Sequence, residues 1–183
     1  MTSAYRICFV CTGNICRSPA AEVVVRALAE QAAPSKPGNQ PDRPDQPGLP
    51  DLILDSAGTG SWHAGEPADR RALRALRAAG YDGHAHRARK FDPAWFRERD
   101  LIVALDRGHA TILRALAPDD ESRARIRLMR SFDPSIQDDE NNPLIDVPDP
   151  YYDGDAEFAL MLEQIEAAGL GLLDHLRSLK TPL

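Results

Sequence analysis

Residues 5–10, YRICFV, form an almost unbroken apolar run that reaches Cys11, and CTGNICR then leads straight into a Ser-Pro pair. A run of aromatic, β-branched and other apolar side chains without polar alternation suits a strand buried on both faces of a parallel sheet. Ser18-Pro19 ahead of AAEVVVRALAEQA reads as a helix start, with Ser18 placed to cap exposed amides and Pro19 at a position that tolerates the missing N–H. A strand, a tight loop and a helix in immediate succession constrain the chain more than any other feature, because a parallel strand needs a crossover to its neighbour. Three further strand candidates, LILDS at 52–56, LIVAL at 101–105 and RIRLMR at 125–130, are each separated by helix-length segments. That alternation predicts a single-domain α/β fold, three-layer α/β/α, with a roughly four-stranded parallel sheet and a phosphate-binding loop after the first strand.

The helices are legible at the same level. Residues 69–79 carry Leu73 and Leu76 among Ala and Arg and end at Gly80, a residue suited to the left-handed closure of a helix. Asp106–Leu116 makes another helix, and Phe158, Met161, Leu162, Ile165, Leu172 and Leu176 form one apolar stripe that predicts a C-terminal helix packed on the sheet. Gly169 and Gly171 interrupt that helix pattern, since Gly costs about 1 kcal/mol relative to Ala, and point to a break there. Residues 34–50 contain six prolines and almost no apolar side chains, so they are read as a Pro-rich solvated insertion within one domain spanning 1–183.

Bulk properties narrow the function. No stretch reaches the roughly 18 to 20 apolar residues of a membrane span, and the N-terminus lacks the pattern of a secretory signal, so no membrane insertion and a cytoplasmic location are expected. A net charge of -6 and a pI near 5.3 argue against nucleic acid as a partner, which needs Lys and Arg against phosphates. The three cysteines, Cys8, Cys11 and Cys16, crowd near the N-terminus and cannot staple distant segments. As zinc ligands they lack a fourth donor and stand beside cationic Arg17, so no metal and no cofactor are expected.

The chemistry concentrates in Cys11-Thr12-Gly13-Asn14-Ile15-Cys16-Arg17-Ser18. A loop wrapped at a helix N-terminus aims backbone N–H groups at one point, and the helix dipole adds positive potential, which together bind a phosphate dianion. Arg17 supplies a planar guanidinium that holds two phosphate oxygens, and the same field favours the nucleophilic thiolate of Cys11. Gly13 allows close backbone approach, Asn14 tolerates a left-handed conformation, and the Ser18 hydroxyl is placed to hydrogen-bond the Cys11 sulfur. The phosphate site therefore comprises Thr12, Gly13, Asn14, Ile15, Cys16 and Arg17.

At these residues the sequence resembles the low-molecular-weight protein tyrosine phosphatase family, whose nucleophile loop has Cys, five residues, then Arg and Ser. Asp149-Pro150-Tyr151-Tyr152 matches the family's late general-acid segment, and DSAGTGSWHAGEPAD from Asp55, HRAR from His86 and ALDRGH from Ala104 extend the match over most of the chain. The resemblance implies hydrolysis of protein phosphotyrosine without metal: Cys11 attacks phosphorus, Asp149 protonates the leaving oxygen and later acts as base, and activity is favoured at mildly acidic pH. It implies that Trp62, Tyr151 and Tyr152 line a deep aromatic slot that excludes phosphoserine, and that Ser56 and His86 support Asn14. Ile15 and Tyr151 favour tyrosine over arginine phosphate. Cys16 matches a family cysteine that can form a protective disulfide with the nucleophile, and ordinary packing explains it equally well. The implied partners are phosphotyrosine-containing proteins and, as for bacterial members, a tyrosine kinase counterpart.

Competing readings are weaker. A thiol-relay arsenate reductase needs cysteines downstream of Cys16, and none is present. A module that senses phosphotyrosine without hydrolysing it is expected to have lost Cys11, Arg17 or Asp149. Cys8 is read as a packed structural thiol, Trp62 alternatively as core, and His63 and His109 as surface or capping residues.

Overall fold

The structure, a computed structural model, describes residues 4–32 and 48–179, so most of the proline-rich segment at 34–50 lies outside the described residues. The chain order is β1 (Tyr5–Cys11), α1 (Arg17–Ala32), β2 (Leu52–Gly58), α2 (Arg70–Ala78), β3 (Leu101–Ala104), α3 (Arg107–Leu116), α4 (Asp120–Ala124), β4 (Ile126–Leu128) and α5 (Asp155–Ser178), with 3-10 turns at Pro93–Arg97, Met129–Phe132 and Pro143–Ile145. The four strands form one parallel sheet, as the apolar runs predict, and the structure sets their order as β2-β1-β3-β4.

Strand β1 explains the layering. Ile7, Phe9 and Cys11 face a core shared with α1, α2 and α5, while Cys8 and Val10 face a second core built with α3 and the Pro93–Arg97 turn. Both faces are covered, which is why β1 shows no polar alternation. Fully buried side chains such as Phe9, Phe96 and Phe158 each contribute about 1.5 to 3 kcal/mol relative to exposure. The chain leaves β1 toward β2 on one side and, later, β3 forms on the other. The carboxyl end of β1 is thus a topological switch point, where a crevice opens between diverging connections.

Three expectations need correction. Helix α1 begins at Arg17, so Ser18 sits inside the first turn; its hydroxyl is committed to Cys11, Asn14 and the Ala57 carbonyl and does not cap. Strand β4 covers only Ile126–Leu128, and Met129 and Arg130 belong to the following 3-10 turn, where Arg130 donates to the Leu144 carbonyl at 2.7 Å. Helix α5 runs unbroken through Gly169 and Gly171. A Cβ at 171 would lie 1.8 Å from the Phe132 carbonyl oxygen, and one at 169 would lie 3.1 Å from Leu28. These glycines let α5 close against its neighbours, and tertiary packing outweighs their weak helix propensity. The stripe Phe158, Met161, Leu162, Ile165, Leu172 and Leu176 is buried throughout.

Candidate active site

Asn14 organises the loop that follows β1. It holds a left-handed conformation, φ 57°, strained for most side chains. Local hydrogen bonds sustain it: Nδ2 donates to Ser18 Oγ and Ser56 Oγ, both at 2.9 Å, and Oδ1 accepts from the Arg89 N–H at 2.9 Å. Its carbonyl meets His86 Nε2 at 2.7 Å. Ser56 is itself fixed by donating to Glu22 Oε2 at 2.7 Å. Burial pushes the His86 imidazole below its ordinary range, against the stabilising hydrogen bond to Asn14.

The loop is asymmetric in its hydrogen bonding. Its carbonyls accept from outside: Cys11 from Thr59 N–H, Thr12 from Gly60 N–H, Ile15 from Asp69 N–H and Cys16 from Ala20 N–H. Among the described residues, no backbone or side-chain acceptor takes the N–H groups of Thr12, Gly13, Asn14, Ile15 or Cys16. A run of unclaimed donors around one left-handed residue, at a helix N-terminus, is a nest for an anion.

Cys11 and Arg17 flank that nest. Cys11 is buried, with Sγ 3.0 Å from Ser18 Oγ. Arg17 is 4% exposed, and Nη1 donates to Asp106 Oδ2 at 2.7 Å and to the Val147 carbonyl at 3.2 Å, while Nη2 donates to Asp149 Oδ2 at 2.7 Å. Burial alone would raise the Asp106 carboxyl, but the His109 side chain and N–H, with Arg17, overcome it and hold Asp106 well below the usual carboxylate range. All three cysteines are free and buried. Burial pushes the Cys16 thiol far up, reinforced by Asp69, Cys11 and Asp149, and burial does the same to Cys8.

Asp106 was legible only as the start of a helix, and its side chain does cap α3, accepting from the His109 N–H at 2.8 Å. What the sequence could not show is that its other oxygen reaches Arg17. His109, read as a surface or capping residue, is instead 3% exposed and bonded to Thr12 through Nε2 at 2.8 Å. The Asp-x-x-His pattern at the helix start marks the local cap between Asp106 and His109 but carries no sign of the contact with Thr12.

The remaining candidates form the mouth. Cys11, Thr12, Arg17, Trp62, Asp149 and Tyr151 are among the residues lining a cleft of about 330 Å³, with His63 and Tyr152 at its edge. Trp62 is 73% exposed and Tyr152 94%, which rules out Trp62 as core and leaves the rim of the cleft open to solvent. The Trp62 indole lies against Gly60, where a Cβ would come within 1.7 Å of the ring. Tyr151 is held edge-on to Tyr152, ring centres 5.0 Å apart, with the Arg71 guanidinium 5.4 Å from its centroid. His63 packs on Gly13 and pairs with Glu66 at 2.7 Å. A larger cavity of about 730 Å³ lies behind the loop, lined by Glu22, Arg26, Ser56, His86 and Arg89 among others; neither Cys11 nor Arg17 lines it, so size does not identify the reactive site. Among the described residues, no three His, Cys, Asp or Glu side chains gather as a metal site, and no helix is long and apolar enough to cross a membrane.

Comparison with known proteins bears on this arrangement as a whole. The family model for low molecular weight phosphotyrosine protein phosphatase matches residues 6–36 and 41–181. A low molecular weight protein-tyrosine-phosphatase of Streptomyces coelicolor is 49% identical over 174 residues, covering 94% of each chain. The low molecular weight protein-tyrosine phosphatase A of Mycobacterium tuberculosis H37Rv is 41% identical over 174 residues, covering 95% of this chain and 93% of its own. Among solved structures, a protein tyrosine phosphatase of Entamoeba histolytica with Hepes in the active site superposes with a TM-score of 0.80 at 30% identity, covering 97% of this chain and all of that one. Wzb of Vibrio vulnificus in complex with benzylphosphonate gives 0.72 at 26% identity, covering 94% and 99%.

Proposed function

This chain belongs to the low molecular weight phosphotyrosine protein phosphatase family of hydrolases, and from that premise we propose that it hydrolyses protein phosphotyrosine through a phosphocysteine on Cys11. The observation that carries this reading is the coincidence of a buried cysteine sulfur, a buried arginine and a run of unclaimed loop N–H groups at one helix N-terminus.

The phosphate dianion docks with its outer oxygens on the loop N–H groups and on Arg17, whose forked donors suit two oxygens at once. The Cys11 thiolate attacks phosphorus in line; the S–P bond forms as the P–O bond to the phenol breaks. The departing phenolic oxygen takes a proton from Asp149. Water then attacks the phosphocysteine with Asp149 taking its proton; a P–O bond forms as the S–P bond breaks, inorganic phosphate is released and the thiolate is regenerated. The Ser18 hydroxyl, 3.0 Å from Sγ, donates to the sulfur as nucleophile and as leaving group. Arg17 and the loop N–H groups stabilise the charge that builds on the transferred group.

Arg17 Nη2 donates to Asp149 Oδ2. An incoming phosphate competes for that donor, so docking frees the Asp149 carboxyl to turn toward the leaving oxygen. Asp106 holds the other nitrogen and keeps the guanidinium plane fixed during the exchange. Trp62 and Tyr151 flank the ring of the substrate, and benzylphosphonate bound to the related Wzb likewise carries its phosphorus one atom away from an aromatic ring. The natural partners on this reading are phosphotyrosine proteins of the cytoplasm and the kinase that modifies them.

The test is phosphate release from a phosphotyrosine peptide at mildly acidic pH with excess chelator, native protein against Cys11→Ser. Turnover that the substitution abolishes supports the proposal. Folded native protein that releases no phosphate overturns it.

A further inference from the structure

His109 is a buried imidazole whose one directed hydrogen bond, among the described residues, goes to Thr12 Oγ1 at 2.8 Å. Its other nitrogen, Nδ1, stands 3.0 Å from Asp106 Oδ1 but outside the angular range of a hydrogen bond, which leaves that contact electrostatic. Thr12 is the residue between the nucleophile and Gly13, and its carbonyl is already tied to Gly60 N–H. Its side chain and its main chain are therefore held from two different elements. The Asp106 carboxylate grips Arg17 with one oxygen and caps the His109 N–H with the other. One helix N-terminus, that of α3, thus reaches both the guanidinium and the loop.

We propose that His109 is a positioning residue that, through Thr12 Oγ1, fixes the orientation of the Thr12–Gly13 stretch and so aims its N–H groups at phosphate. The proposal rests on the phosphate-binding reading of the loop and extends it to a residue that touches neither substrate nor sulfur. Without the His109 bond, Thr12 loses its side-chain anchor and the exposed edge of the nest is free to rotate. The buried imidazole is at the same time left without a directed partner, so the loss falls on both sides of the contact.

The experiment is a double-mutant cycle with Thr12→Val and His109→Leu, reading inorganic phosphate affinity by calorimetry and kcat/KM on an aryl phosphate. Each single substitution is expected to weaken phosphate binding about fivefold, with a matching fall in kcat/KM, which is the ratio equivalent to about 1 kcal/mol of one hydrogen bond. The double variant is expected to match the singles, because both remove the same contact. His109→Gln, which keeps a hydrogen-bonding side chain, is expected to recover most of the affinity. Losses that multiply to about 25-fold in the double variant, or a Thr12→Val protein within about twofold of native, overturn the proposal. If His109→Leu fails to fold, Thr12→Val and His109→Gln decide by the same phosphate readout, a large loss in the first with little in the second being the supporting result. Native protein that binds phosphate with this variant pattern yet turns over no aryl phosphate supports the positioning role while removing the phosphatase reading.

Discussion

The floor and the rim of the cleft are built on opposite plans. On the floor, Asn14, Arg17 and Ser18 are buried and every polar side-chain group of Asn14 has a partner. At the rim, Trp62 and Tyr152 are largely in solvent and are held by stacking and van der Waals contact. A phosphate dianion has fixed geometry and heavy charge, so its receptor gains from donors that cannot move. An aromatic ring flanked by arbitrary peptide needs area without rigid direction, which exposed aromatic side chains supply. On the proposed function, the difference separates catalysis, on the floor, from recognition, at the rim.

Breaking the floor is expected to have the largest effect. Cys11→Ser removes turnover altogether, and Arg17→Lys, which retains charge but loses the fork, lowers kcat by about 10² to 10³; steady-state kinetics on an aryl phosphate measures both. Asn14→Ala comes next. It discards three side-chain hydrogen bonds and leaves a left-handed φ of 57° on a residue without local support, at about 1 to 3 kcal/mol. A fall in melting temperature and at least a tenfold fall, roughly, in kcat/KM are expected together; loss of one without the other would show that loop shape and stability are separable.

Breaking the rim is expected to be milder and of a different kind. Trp62→Ala raises KM for phosphotyrosine peptides by about tenfold with a smaller change in kcat, and shifts stability by no more than about 0.5 kcal/mol because the side chain is exposed. An equal loss in kcat for a small aryl phosphate would place Trp62 with the floor. Gly60→Ala tests the same wall from beneath: the added methyl overlaps the indole, displaces Trp62, and is expected to reproduce the KM effect while the Trp62 fluorescence shifts.

The smallest effect is a pH dependence of stability. His86 is held neutral by burial, with its value in the fold below the ordinary one. As pH falls through about 6.5, the unfolded chain takes up the proton first. Stability from this group is therefore complete above that value and declines as pH falls toward the folded value, where the penalty levels off. Thermal melts between about pH 7 and pH 5 are expected to show a decline that His86→Gln flattens; an unchanged slope would deny His86 a part in it. Asp106 acts in the same direction in a lower window: its carboxyl is depressed in the fold, so its contribution is complete above the unfolded value of about 3.9 and is lost as pH falls from there toward the folded value, well below the usual carboxylate range.

The parallel sheet of four strands and the loop between β1 and a helix were legible in the sequence, because local patterns fix them: apolar runs separated by helix-length segments, and a Gly and an Asn before a helix start; Asp149 stood out only through the resemblance of its Asp-Pro-Tyr-Tyr segment to the family's. Gly169 and Gly171 were misread for the complementary reason. A glycine in a helical pattern signals weakness locally, and only the approach of the Phe132 carbonyl and Leu28 turns it into a requirement. Ser18 has both meanings, cap or sulfur ligand, until the turn of α1 is placed.

The sequence by itself placed a candidate nucleophile, a guanidinium and a residue that tolerates a left-handed turn within one short segment between a strand and a helix, the local pattern on which the proposed chemistry rests. Only the tertiary structure decided what holds that segment in shape. Ser56 and His86 were expected beside Asn14 only through the family resemblance, and Asp106, His109 and Arg89 not at all; all five come from distant stretches and meet the loop because the sheet order β2-β1-β3-β4 sets their parent segments on either side of β1. Contacts of that kind leave no spacing in the sequence, because hydrogen bonds act over a few ångströms in space at any separation along the chain.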